Sequence, residues 1–515
     1  MERKWWSLLA VCLATFMLLL DITVVNVALP DIQKQLHTDL TGLQWVVDAY
    51  TLLLSAFTLT MGTLADRYGR RRLFVIGVGV FTFASLLCGL ATSATFLHLA
   101  RGLQGIGGAA MFATSLALIA QEFQGRERGT AIAAWGATIG GAVAVGPLVG
   151  GALTDGLGWE WIFFVNVPIG IGTVFLAQTQ AGESRDPDAK RLDWAGLTTF
   201  SLGLFALIFG LLRGNAEGWG SALIVGSLLA AVVLLVAFVL FEWRQDHAMF
   251  DLSLFRKPAF SGVSYGTFAI GAGMFAMFLY ITIYMQSVIG MTPLQAGVRF
   301  LPLTLFAFIV PLVTRNLVAK IPARVPLTIG LTLVGVGLLL MRGVKPDSEW
   351  TALLAGFIVS GIGIGLSNPS IATTALGVVP PARSGMASGI NNTMRIAGVS
   401  TGIAGLGAVF QSKIADEIGK LLPQAPSGFA DGVAASGTQA ASQAPPQFHD
   451  QAVHAAGVAF TDAFNDILLI GALILFSGAV AALALVRQSD FIPHGAPPEG
   501  GGGAEKPEAE EAVAT

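Results

Sequence analysis

Apolar stretches of bilayer-crossing length follow one another along almost the whole chain, and no other feature narrows its fold as far. About 20 residues of helix cross the hydrocarbon core, where a backbone must satisfy its own N–H and C=O groups. Such runs lie near residues 6–30, 41–64, 73–92, 95–121, 130–153, 161–180, 194–212, 219–241, 260–287, 294–319, 325–342, 350–377, 385–410 and 461–486, separated mostly by short polar turns. They predict fourteen transmembrane helices and an all-α, polytopic membrane protein. Composition agrees: 54% of the 515 residues are apolar and 12% are charged, against about 25% charged in a soluble domain.

Several function classes fall away. The net charge of -3 is spread thinly, so no nucleic-acid surface is expected. Cys12 and Cys88 both sit inside apolar runs, which suggests no disulfide framework. The sequence has no G-x-x-x-x-G-K-[ST] run, no His/Cys metal cluster and no nucleophile constellation. Neither an enzyme nor a bound cofactor is therefore expected. The opening MERKWW resembles the basic start of a signal peptide, yet the apolar run continues past Asp21 to Pro30 without a small-residue cleavage site, so it reads as a retained first span.

An even number of spans puts both termini on one side, and Lys and Arg placement says which. With the N-terminus inside, the outer loops hold Lys34, Arg213, Arg342, Lys345, Lys413 and Lys420, and the membrane holds Arg101, Arg299 and Arg395. The other 20 of the 29 basic residues are then cytoplasmic, as are both termini.

The chain also resembles itself. GIGGAAMFATSLALIAQEFQGRERGTA, from Gly105, aligns with GIGIGLSNPSIATTALGVVPPARSGMA, from Gly361, so that Gly105, Gly107 and Gly129 recur as Gly361, Gly363 and Gly385. The expected organisation is a six-helix half over 1–180, a two-helix insert with cytoplasmic loops over 181–255, and a second six-helix half over 256–486. A long outer loop is expected over 411–460, and a disordered cytoplasmic tail over 487–515, whose composition is too polar to order itself. Repeated halves related along the membrane normal are a transporter architecture, with the substrate site between them near the midplane.

Two motifs sharpen the reading. GTLADRYGRRRLFVIG (62–77) lies in the turn between helices 2 and 3, where Gly62 and Gly69 permit close approach and a tight turn. Its arginines alone would anchor any loop on the cytoplasmic side. Its spacing, however, resembles the signature of the major facilitator superfamily. GGAVAVGPLVGGALTDGLGWEWIFFVNVPIG (140–170) holds a Gly146-Pro147-x-x-Gly150-Gly151 core similar to the motif of the proton-driven exporters in that superfamily. With LDITVVNVALP in helix 1, LARGLQGIGGA in helix 4 and the count of spans, the chain resembles the fourteen-helix drug:proton antiporter branch.

The resemblance implies a major-facilitator fold in the plasma (inner) membrane, acting as a monomer. It also implies export of lipophilic or cationic drugs and antibiotics, with protons as the coupling ion. Asp66, with Gly62, Arg67, Gly69 and Arg70 around it, occupies the position of the cytoplasmic gate. The repeat suggests its target, the N-terminus of helix 13 near Ser384–Ser388, where N–H groups and the helix dipole favour an acid. Gly146, Gly150 and Gly151 would let a neighbouring helix approach, and Pro147 would kink the span. Glu160 departs from the Arg that family members commonly carry there.

Charges inside a membrane cost about 2.5–3.5 kcal/mol at a helix centre and usually face a cavity or a partner. Counted from Lys4, Asp66 and Glu122 at about 1.5 Å per residue, Asp21, Asp48 and Arg101 lie at depths of roughly 25, 27 and 31 Å. They share one level, where an Arg could reach either acid, and these three are the proton-coupling candidates. Helices 1 and 4 face the central cavity in the superfamily, which favours Asp21 with Arg101. The alternatives are a structural tie for Arg101 and an interfacial residue beside Trp45 and Tyr50 for Asp48. Arg299 reads as a snorkelling anchor, and Asp462 and Asp466 as outer-surface charges.

The substrate-binding candidates are Asn26, Tyr50 and Gln104 in the first half and Asn391, Asn392 and Arg395 in helix 13. Phe275, Phe278 and Thr282 join them as one stripe of the Met- and aromatic-rich helix 9, a cluster equally suited to a lipid-facing belt. Helices 10 and 13 carry no acids across the membrane, which favours monovalent or neutral amphiphiles over dications. A dedicated exporter of a metabolite, amino acid or siderophore fits the same helices, and a non-transporting receptor or scaffold is the alternative of another class.

Overall fold

The computed structural model describes residues 2–38, 40–185, 194–244, 252–318, 320–380, 383–426, 428–443 and 448–492. Helices account for almost all of them, and no strand occurs among the described residues. The first half holds α1 (Arg3–Leu36), α2 (Leu40–Tyr68), α3 (Arg70–Gly89), α4 (Ala94–Glu122), α5 (Gly125–Leu157) and α6 (Trp161–Gln180). Next come α7 (Trp194–Glu217) and α8 (Ala222–Arg244). The second half holds α9 (Pro258–Val288), α10 (Pro293–Arg299 continued by Leu301–Val318), α11 (Arg324–Leu340), α12 (Leu354–Gly377), α13 (Ser384–Leu421) and α14 (His449–Leu485).

Eleven of these helices are long and apolar enough to cross a membrane. The other three explain the difference from the fourteen expected. α5 has 33 residues, with Leu148–Leu157 as its apolar stretch among the residues whose side chains are described. α10 is split at Phe300, and α11 has 17 residues, about 25 Å of helix. The chain is a multi-pass helical membrane protein.

The two halves share one packing plan. In the first, α2 and α3 pack on α4, α1 on α5, and α1 and α3 on α6. In the second, α10 and α11 pack on α12, α9 on α13, and α9 and α11 on α14. The halves meet through α2 with α13 and α5 with α10, two pairs that exchange when the halves are interchanged. Glycine makes this approach possible: a Cβ on Gly105 would collide with the Tyr50 carbonyl of α2, and one on Gly361 with the Leu303 carbonyl of α10. α7 packs on α2 and α13, while α8 exposes Leu229, Val232 and Val233 on a surface suited to lipid.

Three expectations need correction. Residues 411–460 are largely helical, because α13 runs on to Leu421, a short helix spans Phe429–Ser436, and α14 already starts at His449. This segment is packed rather than solvated: Val433 and Ala441 are buried, and Thr438 Oγ1 donates to the Ser287 carbonyl at 2.6 Å. Its Ala- and Gln-rich composition suits helix as well as loop. Arg213 is not in a loop, since α7 continues to Glu217 and buries it. α9 is not one regular helix, because π turns at Gly271–Phe275 and Tyr284–Val288 each hold an extra residue. The expected tail lies outside the described residues from 493 onward.

Candidate functional site

Asp21 faces inward, 1% exposed, from the middle of α1. Its Oδ2 pairs with Arg101 Nη1 of α4, itself 1% exposed. Gln104, one turn further along α4, joins them: its Oε1 accepts from Arg101 Nη1 at 2.7 Å and its Nε2 donates to Asp21 Oδ1 at 2.9 Å. Arg101 Nε donates to the Val46 carbonyl of α2 at 2.9 Å, and its guanidinium lies 4.2 Å from the centre of the Tyr50 ring. A buried ion pair is tolerable only when the remaining donors and lone pairs are satisfied; here α1, α2 and α4 satisfy them together.

Sequence reasoning missed two members of this cluster. Asn166 Nδ2 on α6 donates to Ser85 Oγ at 3.0 Å and to Asp21 Oδ1 at 3.4 Å. Ser85 on α3 accepts from Gln104 at 3.3 Å and donates to the Phe163 carbonyl at 2.9 Å. Single polar residues in apolar runs, as in ASLLC and FFVNV, were the available signal. Gln104 and Tyr50, expected on substrate, are buried within the ion-pair cluster.

Asp48 stands apart. Its carboxylate lies 3.9 Å from Arg213 of α7, which also pairs with Glu217 at 2.7 Å and sits 5.7 Å from the Trp45 ring. Arg213, placed in a loop by the sequence, was not considered as a partner.

At the end of the bundle that carries the α2–α3 turn, Asp66 bridges the halves. Its Oδ1 accepts from Arg70 Nε and Nη2 at 2.9 and 2.7 Å, and its Oδ2 accepts from the Met386 backbone N–H at 2.9 Å. Met386 lies in the first turn of α13, the target the repeat suggested. The turn itself needs Gly69, whose φ of +113° few other residues adopt, while Gly62 is buried and Arg67 lies 5.5 Å from the Tyr68 ring. On α5, Gly146 abuts Thr23 of α1, two residues from Asp21, and Gly150 and Gly151 are buried. The side chains of Asn26 and Pro147 lie outside those described.

A small cavity opens between the halves, lined by Ile139 of α5, Phe275 and Phe278 of α9, Leu303, Thr304 and Ala307 of α10, and Ile364 and Asn368 of α12. Arg395 of α13 reaches its edge, donating from Nη1 to Asn368 Oδ1 at 3.0 Å and lying 5.7 Å from the Phe275 ring. Asn391 and Asn392 are used elsewhere, the first donating to Thr267 Oγ1 at 2.9 Å and the second reaching the Phe112 carbonyl across the interface at 3.5 Å. Thr282 is not on the cavity; its hydroxyl donates to the Phe278 carbonyl at 2.7 Å. Of the other charges, Arg299 lies 5.4 Å from the Trp350 ring, Asp462 is exposed, and Asp466 pairs with Lys413 at 3.2 Å.

Two like-packed halves, a cavity between them and charges buried inside the helices define a membrane transporter of the two-half kind. The Major Facilitator Superfamily model matches residues 11–403, and the chain belongs to that family. It is 39% identical over 404 residues to the multidrug resistance protein Stp of Mycobacterium tuberculosis, covering 78% of this chain and 75% of that protein. It is 33% identical to the tetracenomycin C resistance and export protein of Streptomyces glaucescens, covering 80% and 77% of the two chains. Against the puromycin resistance protein of Streptomyces alboniger the identity is 35%, with 79% and 82% covered. Among solved structures, the human transporter MFSD10 superposes with a TM-score of 0.61 at 14% identity, covering 92% of this chain and 100% of that one. An inward-facing bacterial homologue of the lysosomal transporter Spinster gives 0.57 at 17%, covering 96% and 99%. At these identities the two structures speak for the fold alone.

Proposed function

We propose that the chain is a proton-coupled antiporter that exports lipophilic small molecules, drugs and antibiotics among them, across the plasma membrane. The observation that carries this reading is Asp21, an acid in the first span that meets Arg101 and Gln104 rather than lipid. Burial favours the protonated form of a carboxylate, and a nearby Arg favours the ionised one. A contact made in one arrangement of the halves and broken in the other therefore takes up a proton on the outside and releases it inside. The names of the relatives, which concern multidrug resistance, tetracenomycin C export and puromycin resistance, support the cargo.

The remaining parts take consistent roles. Asp66 of α2, docked on the first turn of α13, latches the cytoplasmic side shut between strokes. Both termini lie in the cytoplasm, and a monomer in the bilayer suffices. Protons serve as the only coupling agent: each one moved down 100 mV contributes about 2.3 kcal/mol, enough for a roughly fifty-fold gradient of a neutral solute exchanged one for one.

The test is counterflow in proteoliposomes with an imposed pH gradient, comparing the wild type with Asp21→Asn. Proton movement that depends on substrate, lost in the variant while the protein still inserts and expresses, is the expected result; unchanged coupled efflux in Asp21→Asn would contradict it. A receptor or scaffold would move no protons in response to any solute. A dedicated metabolite, amino-acid or siderophore exporter would respond to one solute and ignore a drug panel.

A further inference from the structure

Arg395 places a positive charge beside the small cavity, next to its lining residues Asn368 and Phe275, with no opposite charge beside it among the described residues. Arg395 is 8% exposed, and no ion pair to it exists among the described residues. One of its donors is used on Asn368 Oδ1, but its Nε is buried without a hydrogen-bond partner. Asn368, 1% exposed, is in the same position: its oxygen is taken by Arg395 and its Nδ2 has no partner. Buried polar groups are nearly always satisfied, and leaving one unmet carries the full cost of its desolvation. Two neighbouring donors are thus unmet at one edge of a cavity whose other walls are mostly apolar.

The deficit is of acceptors. Between residues 258 and 415 the only acids are Asp347 and Glu349, in the turn between α11 and α12. Thr304, the other polar residue on the cavity, already donates to the Phe300 carbonyl at 3.2 Å. Phe275 and Phe278 stand 5.8 Å apart on the cavity wall, a surface for a flat apolar body whose polar edge would point at Asn368 and Arg395. A cationic solute would need a carboxylate here, and none of the described ones lies on the cavity.

We infer that the central cavity selects lipophilic monoanions, aromatic molecules carrying one carboxylate or comparably ionised oxygen, with the anion held by Arg395 and Asn368 and the ring system against Phe275 and Phe278. The inference rests on the export reading and names the substrate class of that same cavity. Both unmet donors would find an acceptor in the same ligand, and a guanidinium beside an amide is a suitable fork for a planar oxyanion. Exchanging a monoanion for one proton moves two charges in the same electrical sense, so this transport is electrogenic.

The test uses 1-pyrenebutyrate, its methyl ester and a pyrenebutyl trimethylammonium salt, which share a skeleton and differ in charge. Binding to the purified full-length protein in detergent is measured by equilibrium dialysis. The wild type is expected to bind the carboxylate at least tenfold more tightly than the ester or the cation. Arg395→Gln is expected to bring the ratio of carboxylate to ester affinity close to one. Asn368→Asp, which neutralises Arg395 with a carboxylate of its own, is expected to remove the preference for the carboxylate probe. Equal wild-type affinities, or no binding of any probe, overturns the inference without relying on either variant folding. Failure of the export reading is seen separately, as the absence of substrate-dependent proton movement in proteoliposomes for any solute.

Discussion

Gly105 in the first half and Gly361 in the second hold the same place in the packing, yet the side chains beside them have opposite characters. Gly105 lies against the Tyr50 backbone and Gly107 against that of Phe81; Gly361 lies against the Leu303 backbone and Gly363 against that of Val334. Four residues before the first glycine of each pair stand Arg101 and Phe357, and one residue before stand Gln104 and Ser360. In the first half these positions build the ion-pair cluster. In the second, Phe357 packs 5.2 Å from Phe300, and Ser360 is buried with no partner for its hydroxyl. The latch is one-sided too, since residues 318–329, which match 62–73 at the spacing of the repeat, contain no acid. Close backbone contact at glycine sets the scaffold and leaves the adjacent side chains open to carry charge in one copy and apolar bulk in the other.

This contrast can be broken by experiment. Arg101→Leu leaves Asp21 as a buried charge without its partner, and should cost about 3–5 kcal/mol in denaturant unfolding of the purified protein. A loss no larger than that of the matching Phe357→Leu would mean that the cluster is not the special half. Asp66→Ala removes acceptors from Arg70 and from the Met386 N–H, a change of about 1.5–3 kcal/mol. It should raise the labelling rate of a cysteine placed at Leu59, which packs on Gly389 of α13; an unaltered rate would remove Asp66 from the closure. Gly105→Ala and Gly361→Ala should each destabilise by about 1–3 kcal/mol, by similar amounts, because both force a methyl group onto a backbone carbonyl. A loss at one glycine only would refute the equivalence. Phe357→Leu, a modest volume change in an apolar environment, should be the mildest, at about 1 kcal/mol.

Parts of this are legible in the sequence. Depth counting brought Arg101 level with both Asp21 and Asp48, and the resemblance to the superfamily, in which helices 1 and 4 face the cavity, favoured the Asp21–Arg101 pair that is observed. That Asp66 docks on the opposite half followed from the resemblance to the superfamily, and the repeat pointed to the N-terminus of α13 as its target. The partner of Asp48 did not follow, because α7 runs five residues beyond the end of its apolar run and carries Arg213 into the bundle. Nor did the π turns of α9, since one extra residue hardly disturbs a helix that is apolar on nearly all sides. Asn368 escaped notice because an amide before Pro369 reads as a local backbone feature, whereas its significance comes from Arg395 on another helix.

The Met386 side of the Asp66 contact is a peptide nitrogen. Every residue except proline presents that same group at position 386, so the lock is keyed from one side only. Drift along the opening turn of α13 can proceed without loosening it, while position 66 has almost no freedom to vary. A mutational survey would thus record tolerance on one helix and intolerance on the other, although both hold the same bond.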